Sequence, residues 1–520
     1  MRLTLSPMSR LFLLLCSLSF LSPSALSQTL FQGLEQCYEL QATVSDGHTP
    51  LWLQSNRYGL SSVQDNNGYV RAGICRPLAV DSLSRWGVGY GVDVAAAWGN
   101  TSSVILQQCF AEVRYLHGVL TVGQKQQPLS LRNAWLSSGA QALGINARPV
   151  PALRLEVPDY YDIPGTHRWL GFRGHISYGW TTDGNWQEEW TRGETKYAQD
   201  VMLHTKAGYL RVGPDDEQHP FVLELGLEMA CQFGGTMYHT SYGTLQGQSD
   251  ARAWLNALLA RGGDEDADAY ANVAGNHLGS WVARATYHWS AVSAALYFDH
   301  YFEDHSSMFL LDYDGYGQGA AWAQRAANRY LMYPLRDMQL GLELQMHCCP
   351  WLQSLVLEYL DTRYQSGPIY HDHNPGIGDH IGGADAYYNH YLYHGWSHWG
   401  QVMGSPLYRS PLYNTDQTLT VQDNRFYAWH CGMMGAVGAL GYRVLLSWQQ
   451  GYGTYEYPLL RPARNLSWLA EATYTPSADG WLGGCALRVA VGMDHGALLG
   501  NNLGAQLSVI YHIQPKSPRR

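Results

Sequence analysis

The segment from Glu358 to Leu407 carries the residue types best suited to holding a sugar. It runs through Thr362-Arg363-Tyr364-Gln365-Ser366-Gly367-Pro368-Ile369-Tyr370-His371 and Gly382-Gly383-Ala384-Asp385-Ala386-Tyr387-Tyr388-Asn389-His390-Tyr391. It ends in Tyr393-His394-Gly395-Trp396-Ser397-His398-Trp399-Gly400. Aromatic faces stack on the apolar C–H faces of sugar rings, while Asn, Asp and Arg bond the hydroxyls. On that chemistry the candidate glycan-binding residues are Tyr387, Tyr388, Asn389, Trp396, His398 and Trp399. Strand alternation is absent through Gly376–Gly383, so the segment reads as a long loop, where binding residues concentrate. The competing reading is a loop folded on its own aromatics beside a membrane girdle.

Other constellations carry less. His371-x-His373, with His380, His390, His394 and His398 nearby, has the spacing of alternate ligands on one strand face, but neither a Cys nor a well-spaced carboxylate completes a metal set. No metal is expected. Asp299, Glu303, Asp304, His305 and Ser306 gather acid, imidazole and hydroxyl, and Asp312 and Asp314 form a carboxylate pair. Triads and acid pairs are defined by geometry rather than by proximity in sequence. The nucleophile-elbow, zinc-protease and phosphate-loop motifs are absent. No catalytic residue, enzymatic activity or cofactor is therefore expected. Arg148, Arg154, Arg168 and Arg173 can grip the carboxylate or phosphate of an acidic polysaccharide or lipid, or neutralise Glu and Asp across a wet lumen. The acids at 264–268 read as a solvated loop without the spacing of a calcium site.

The elements that must position these residues are long strands. Phe221, Leu223, Leu225, Leu227, Met229, Cys231 and Phe233 alternate with more polar neighbours. The same period of two runs through Trp281–Trp289, Met338–Met346, Cys485–Met493 and Leu503–Ile513. Successive strand side chains point to opposite faces, so each run has one apolar and one polar face. A two-sheet sandwich gives the same pattern, but its strands average ~5–6 residues, whereas a tilted strand needs about 9–11 to cross a bilayer. Trp281, Trp289 and Tyr511 stand at run ends, as interface girdles require. His117-Gly118, Asp183-Gly184-Asn185 and Asp314-Gly315 read as turns. Ser249–Arg261 reads as a helix capped by Ser249 or Asp250 and stopped at Gly262.

Composition agrees. Tyr and Trp together number 55 against 43 acids, the net charge is −10, and charged residues make up only 15% of the 520. This excludes a disordered chain, a coiled coil and a basic nucleic-acid binder. Residues 1–27 read as a secretory signal: Arg2 and Arg10, an apolar core from Leu11 to Leu21, and Ala25-Leu26-Ser27 before the cut. The eight later cysteines show no repeated spacing and read mainly as small apolar side chains on strands. Residues 28–65 form an N-terminal segment expected below or inside a barrel, 66–513 the barrel with long loops, and 514–520 a polar tail. At roughly 20–30 residues per strand and loop, the length supports ~16–20 strands.

Six stretches in order carry a resemblance to a known family: Pro50–Gly59, Ser138–Pro151, Leu203–Lys206, Gly275–Ser280, Gln365–Pro368 and Asp385–Asn389. In these the chain resembles the bacterial capsule-assembly Wzi family. The resemblance implies an all-β, transmembrane antiparallel barrel of about eighteen strands, with a small helical part on the periplasmic side. It implies residence in the outer membrane of a Gram-negative bacterium, with outer-membrane lipid around it. It implies a lectin-like protein that binds capsular or other exported polysaccharide and helps assemble or retain it at the cell surface, with the export machinery as a further partner. No reaction or cofactor comes with it. The alternative function is a porin-like channel for sugars or other solutes.

Overall fold

A computed structural model describes residues 32–214, 216, 218–260, 275–303, 311–312, 315–316, 320, 324–326, 330–331, 336–370, 381–477, 480 and 482–513, with backbone alone at 311–312, 315–316, 325–326, 330–331, 366–370 and 381–383. The expected signal, the polar tail, the acids at 264–268, Asp304, His305, Ser306, Asp314, His371, His373 and His380 lie outside the described residues.

Eighteen strands form one sheet. In chain order they are β1 Glu35–Asp46, β2 Asn66–Arg76, β3 Trp86–Trp98, β4 Val104–Tyr115, β5 Gly118–Gln124, β6 Ala152–Asp162, β7 Leu170–Trp180, β8 Met202–Val212 and β9 Phe221–Phe233. There follow β10 Asn276–His288, β11 Val292–Glu303, β12 Met338–Met346, β13 Ser354–Asp361, β14 Phe426–Val437, β15 Leu440–Gly453, β16 Pro458–Tyr474, β17 Cys485–Gly496 and β18 Asn502–Ile513. Each pairs antiparallel with the next, and β18 returns to β1 in a continuous register from Gln36↔Ile513 to Asp46↔Leu503. The sheet is a closed antiparallel barrel, as the alternation and the resemblance lead one to expect. Closure leaves no strand edge for lipid to desolvate.

The side chains divide as a membrane demands and a soluble protein does not. On β18, Leu503, Leu507 and Val509 are 54%, 49% and 44% exposed on the outer face, while Gln506 and Ser508 are buried in the lumen. The expected runs appear as β9, β10, β12, β17 and β18, and Phe221–Phe233 and Met338–Met346 keep those bounds. Trp289, Tyr511, Trp86, Tyr115, Trp169 and Trp351 stand exposed near one rim. Trp281 does not belong to a girdle, because β10 already begins at Asn276.

Local differences have local causes. Tyr115 pairs with Gly118, so the hairpin turn is Leu116-His117, with Leu116 at φ 54°, and Gly118 is the first residue of β5. Asp183 immediately precedes a helix, Gly184–Trp190, rather than forming an isolated turn. The expected helix spans Ala251–Leu259, with the Asp250 carboxylate accepting from the Ala253 N–H. It ends at Ala260 in the left-handed conformation, before Gly262.

Two expectations are corrected. Residues 28–65 are not one accessory segment, because Glu35–Asp46 is a barrel strand and only the stretch after it enters the lumen. Tyr38, Leu40, Ala42 and Val44 face lipid there, and Glu39, Gln41 and Thr43 face inward. The second concerns the helical part. Both ends of the described chain lie at the end with short turns, the periplasmic one by the general build of such barrels. The α-helices Leu51–Gln54, Gly184–Trp190 and Ala251–Leu259 all follow β1, β7 or β9 at the opposite, long-loop end, and only the short 3₁₀ helix Leu78–Asp81, among the described residues, lies at the short-turn end, between β2 and β3.

This division of faces has a direct test. Leu507→Arg is expected to destabilise the folded barrel by about 2–4 kcal/mol near the bilayer midplane, with Leu507→Ala far milder. Urea titration of protein refolded into lipid vesicles, followed by gel mobility, measures both. Equal tolerance of both changes would contradict a lipid-facing Leu507.

Candidate functional site

Long loops from the outer end fold inward and fill the lumen. The contributing stretches are 47–65, 125–151 and the part of 362–425 from Asp385 onward. Trp52, Leu53, Leu136, Tyr388, Trp396 and Tyr408 pack there with no more than 2% exposure. The inner wall makes room for them with glycine. A Cβ on Gly432 of β14 would come within 2.4 Å of the Leu136 carbonyl oxygen, and one on Gly504 of β18 within 2.8 Å of Pro50. We call these packed loops the plug.

Acidic side chains of the wall hold the plug by its backbone. Asp299 on β11 accepts from the Gln141 N–H at 3.1 Å and pairs with Arg132 at 2.9 Å, both side chains being almost wholly buried. Arg132 also donates to Gln339 at 2.6 Å and to the Gly139 carbonyl at 3.0 Å. Glu358 on β13 accepts from the Ser138 N–H at 2.8 Å, and Glu303 from the Tyr388 N–H at 2.8 Å. Asp337 takes the Tyr364 N–H and the Tyr387 hydroxyl. Asp299 and Glu303, which the sequence groups with His305 and Ser306, are thus loop anchors.

Most of the six candidate glycan residues lie inside this plug. Tyr387 and Tyr388 are fully buried; Tyr388 stacks on Tyr408 at 3.9 Å and meets Tyr301 edge-on at 5.7 Å. The Trp396 indole donates to the Ala142 carbonyl at 2.9 Å. His398 accepts from the Thr182 N–H at 3.2 Å through Nε2, which leaves Nδ1–H to donate to the Arg148 carbonyl at 2.9 Å. These four present no face to a ligand, so here the competing reading of a loop packed on its own aromatics is the one realised. Half-buried Asn389 spends its amide on both backbone groups of Val421. Trp399 is half-buried, with the Arg148 guanidinium 4.4 Å over its ring and Trp186 at 6.2 Å. Trp186, itself buried, stacks on Trp190 at 5.5 Å, so the half-buried Trp190 and Trp399 flank a buried indole toward the outer mouth.

The arginines divide likewise. Arg154 pairs with Glu156 at 2.7 Å and Arg168 with Asp162 at 3.3 Å, whereas Arg173 lies over Tyr160 and Tyr209. Arg148 is buried on neutral acceptors, Asn100, Thr101 and Ser102, and burial lowers it to about 10.

Several cavities remain among the described residues, and two of them are lined by residues of the plug. One of about 180 Å³ is lined by Lys125, Arg148, Arg154, His175, Glu228 and Tyr58. The other, about 490 Å³, lies on the periplasmic side among Trp135, Arg57, Arg71, Arg443, Arg488 and Asp93. Tyr58 lines both. Sequence reasoning missed this second group. Trp135 is a single aromatic in a loop, and the arginines come from three distant strands and the loop after β1. The described cysteines form no disulfide, and among the described residues no cluster suited to a metal ion occurs.

Comparison with solved structures agrees with the fold. The chain is similar to Wzi of Escherichia coli, an outer-membrane protein involved in group 1 capsule assembly and a carbohydrate-binding β-barrel. The two share 13% identity over 97% of this chain and 92% of that one, with a TM-score of 0.54. It is also similar to OccAB2 of Acinetobacter baumannii (10% identity, 93% of this chain and 98% of that one, TM-score 0.46). A further likeness is to OprD of Pseudomonas aeruginosa (10% identity, 93% and 96%, TM-score 0.43). No protein-family model and no curated protein matches the chain.

Two outcomes test the plug. Arg132→Met leaves Asp299 buried without its partner and is expected to lower stability by about 3–5 kcal/mol, most of it recovered in the double variant Arg132→Met/Asp299→Asn. A double-mutant cycle by urea unfolding reads this, and strictly additive losses would contradict the pairing. The second outcome is pH-dependent. Burial lowers His394 and His398, and lowers His390 to about 3. Below the ordinary value of ~6.5 the unfolded chain takes up protons that the folded plug refuses. The stabilisation from these three is therefore complete above ~6.5 and is lost as pH falls toward their folded values. Limited proteolysis of the loops should be faster at about pH 5 than at about pH 7.5 with a protease active at both, and equal rates would contradict neutral burial.

Proposed function

We propose that this protein resides in the outer membrane of a Gram-negative bacterium, after Sec-type export. There it binds capsular or other exported polysaccharide and helps retain it at the cell surface. The observation that carries this reading is the plug. A lumen packed with fully buried aromatics favours a frame for presenting loops over an open conduit. The E. coli barrel of the same fold, which binds carbohydrate, supports the reading.

In this proposal the polymer meets the outer mouth, where Trp186, Trp190 and Trp399 gather beside Arg148. Indole faces take the apolar faces of pyranose rings, and the neighbouring polar groups take hydroxyls. Binding and release need no proton transfer and no covalent step, so the protein acts without catalysis or a cofactor. Outer-membrane lipid surrounds the barrel, and the export machinery that delivers the polymer is the further partner.

A strain lacking the protein should make the usual amount of polymer but shed more of it into the medium. Replacing Trp190 and Trp399 together by Ala should weaken capture of the purified polymer by about 1 kcal/mol per ring, roughly fivefold each. Capture at wild-type strength would remove those rings from the site. Planar-bilayer recordings address the channel alternative: a steady conductance of porin size in the wild-type protein would favour it over retention.

A further inference from the structure

The periplasm-facing cavity pairs an exposed ring with three guanidiniums that share one carboxylate. Trp135 is 58% exposed although it lies in the lumen. Its backbone is nonetheless fixed. The Trp135 N–H donates to Asn133 Oδ1 at 2.9 Å, and its carbonyl accepts from Arg443 at 3.2 Å. The next residue, Leu136, is wholly buried, and its carbonyl accepts from His430 at 2.7 Å. A residue whose backbone is held in place, yet whose indole is left open to water, forgoes burial that the plug could supply.

Three guanidiniums surround this ring's side of the cavity and share one carboxylate. Glu471 lies 3.3 Å from Arg57, 3.0 Å from Arg443 and 3.9 Å from Arg488. None of the three Nε–H groups has an acceptor. Among the described residues, Arg488 makes only that long ion contact, so its fork of donors is unused. The adjoining wall, β1 to β3, carries Glu39 and Asp93, which share Arg71, with Glu35 near the rim. The cavity is thus polarised, with a surplus of positive charge beside an aromatic face. Its ~490 Å³ falls within the usual ~300–1,000 Å³ of ligand pockets.

We propose that this vestibule binds a carboxylate-bearing pyranose of an acidic saccharide. The ring lies against Trp135, the carboxylate enters the fork of Arg488 with Arg443 and Arg57, and the acidic side accepts hydroxyls. Arg offers paired donors matched to a carboxylate, and an aromatic face selects a sugar over a simple anion. This rests on the polysaccharide reading above and adds to it the charge class of the polymer and a site on the periplasmic side.

The test uses the full-length protein in nanodiscs, with oligogalacturonate and its carboxyl-reduced neutral counterpart as probes, measured by calorimetry. The wild type is expected to bind the acidic oligomer about tenfold more tightly than the neutral one, with an affinity that falls as salt is raised. Arg488→Gln should remove most of that preference while leaving thermal unfolding nearly unchanged, because among the described residues Arg488 makes only the 3.9 Å contact with Glu471, which keeps Arg57 and Arg443. Trp135→Ala should weaken both oligomers about fivefold. Acidic and neutral probes bound alike, or both variants binding like the wild type, would overturn the proposal. Acetate binding as well as the oligomer would overturn it too, as a bare anion site. If the vestibule variants bind normally while the Trp190/Trp399 variant does not, the vestibule falls and the surface reading stands. If no saccharide binds the wild type, the reading itself falls, and this inference with it.

Discussion

Backbone amides in hydrocarbon have no solvent to bond, and every feature of this molecule follows from meeting that constraint. The β18–β1 pairing removes the last open edge, and the pleat then sends one side chain in two to lipid and the next to the lumen. The lumen inherits the polar half of eighteen strands. Left empty it would be a wide aqueous pore, as large barrels are. Here it is filled by loops whose own backbone needs partners. The acids Asp299, Glu303 and Glu358 supply them, each accepting from a loop N–H. Wall and plug therefore satisfy each other: carboxylates that would otherwise sit buried and unpaired meet amides that would otherwise lack acceptors.

Glycine makes the fit possible. Loop residues can approach a strand this closely only where no Cβ intervenes, as the Leu136 backbone does at Gly432 and the Pro50 ring at Gly504. The contact at Gly432 fixes Leu136 and, one residue earlier, leaves Trp135 facing the vestibule. A packing device on the wall thus determines which residue of a loop is offered to a ligand.

The barrel was legible because its code is a period of two written over ten or more residues. Phe221–Phe233 and Met338–Met346 have the bounds that alternation predicts. β1 carries the same code in Tyr38-x-Leu40-x-Ala42-x-Val44, but as a single short run apart from the other strands it reads as part of an accessory segment. The hairpin at Leu116-His117 was displaced by one residue because Gly118 is the local turn signal, yet strand pairing places it in the ladder. The site was far less legible. Aromatic and histidine richness marks both a sugar platform and a packed plug, since each needs large flat side chains with polar tips. Nothing in the run Tyr387-Tyr388-Asn389 tells whether its rings face water or Tyr301 and Tyr408.

What separates the two is how the polar tips are used. In the candidate residues of the plug they are spent on the protein: the Tyr387 hydroxyl on Asp337, the Trp396 indole on Ala142, both Asn389 amide groups on Val421. A side chain whose donors are consumed in the fold is a structural member whatever its type. In the vestibule the accounts stay open, with an exposed indole at Trp135 and unused guanidinium donors at Arg488. The desolvation of those donors is incurred in folding and returned only when an acceptor arrives. Unused donors around a rigid ring are thus a better marker of a binding surface than aromatic content. By that measure the vestibule is one candidate ligand surface, built from residues scattered over 400 positions of sequence from Arg57 to Arg488 and joined only by the closure of the sheet, and the outer mouth, where Trp190 Nε1 and Arg148 Nε also have no partner, is another.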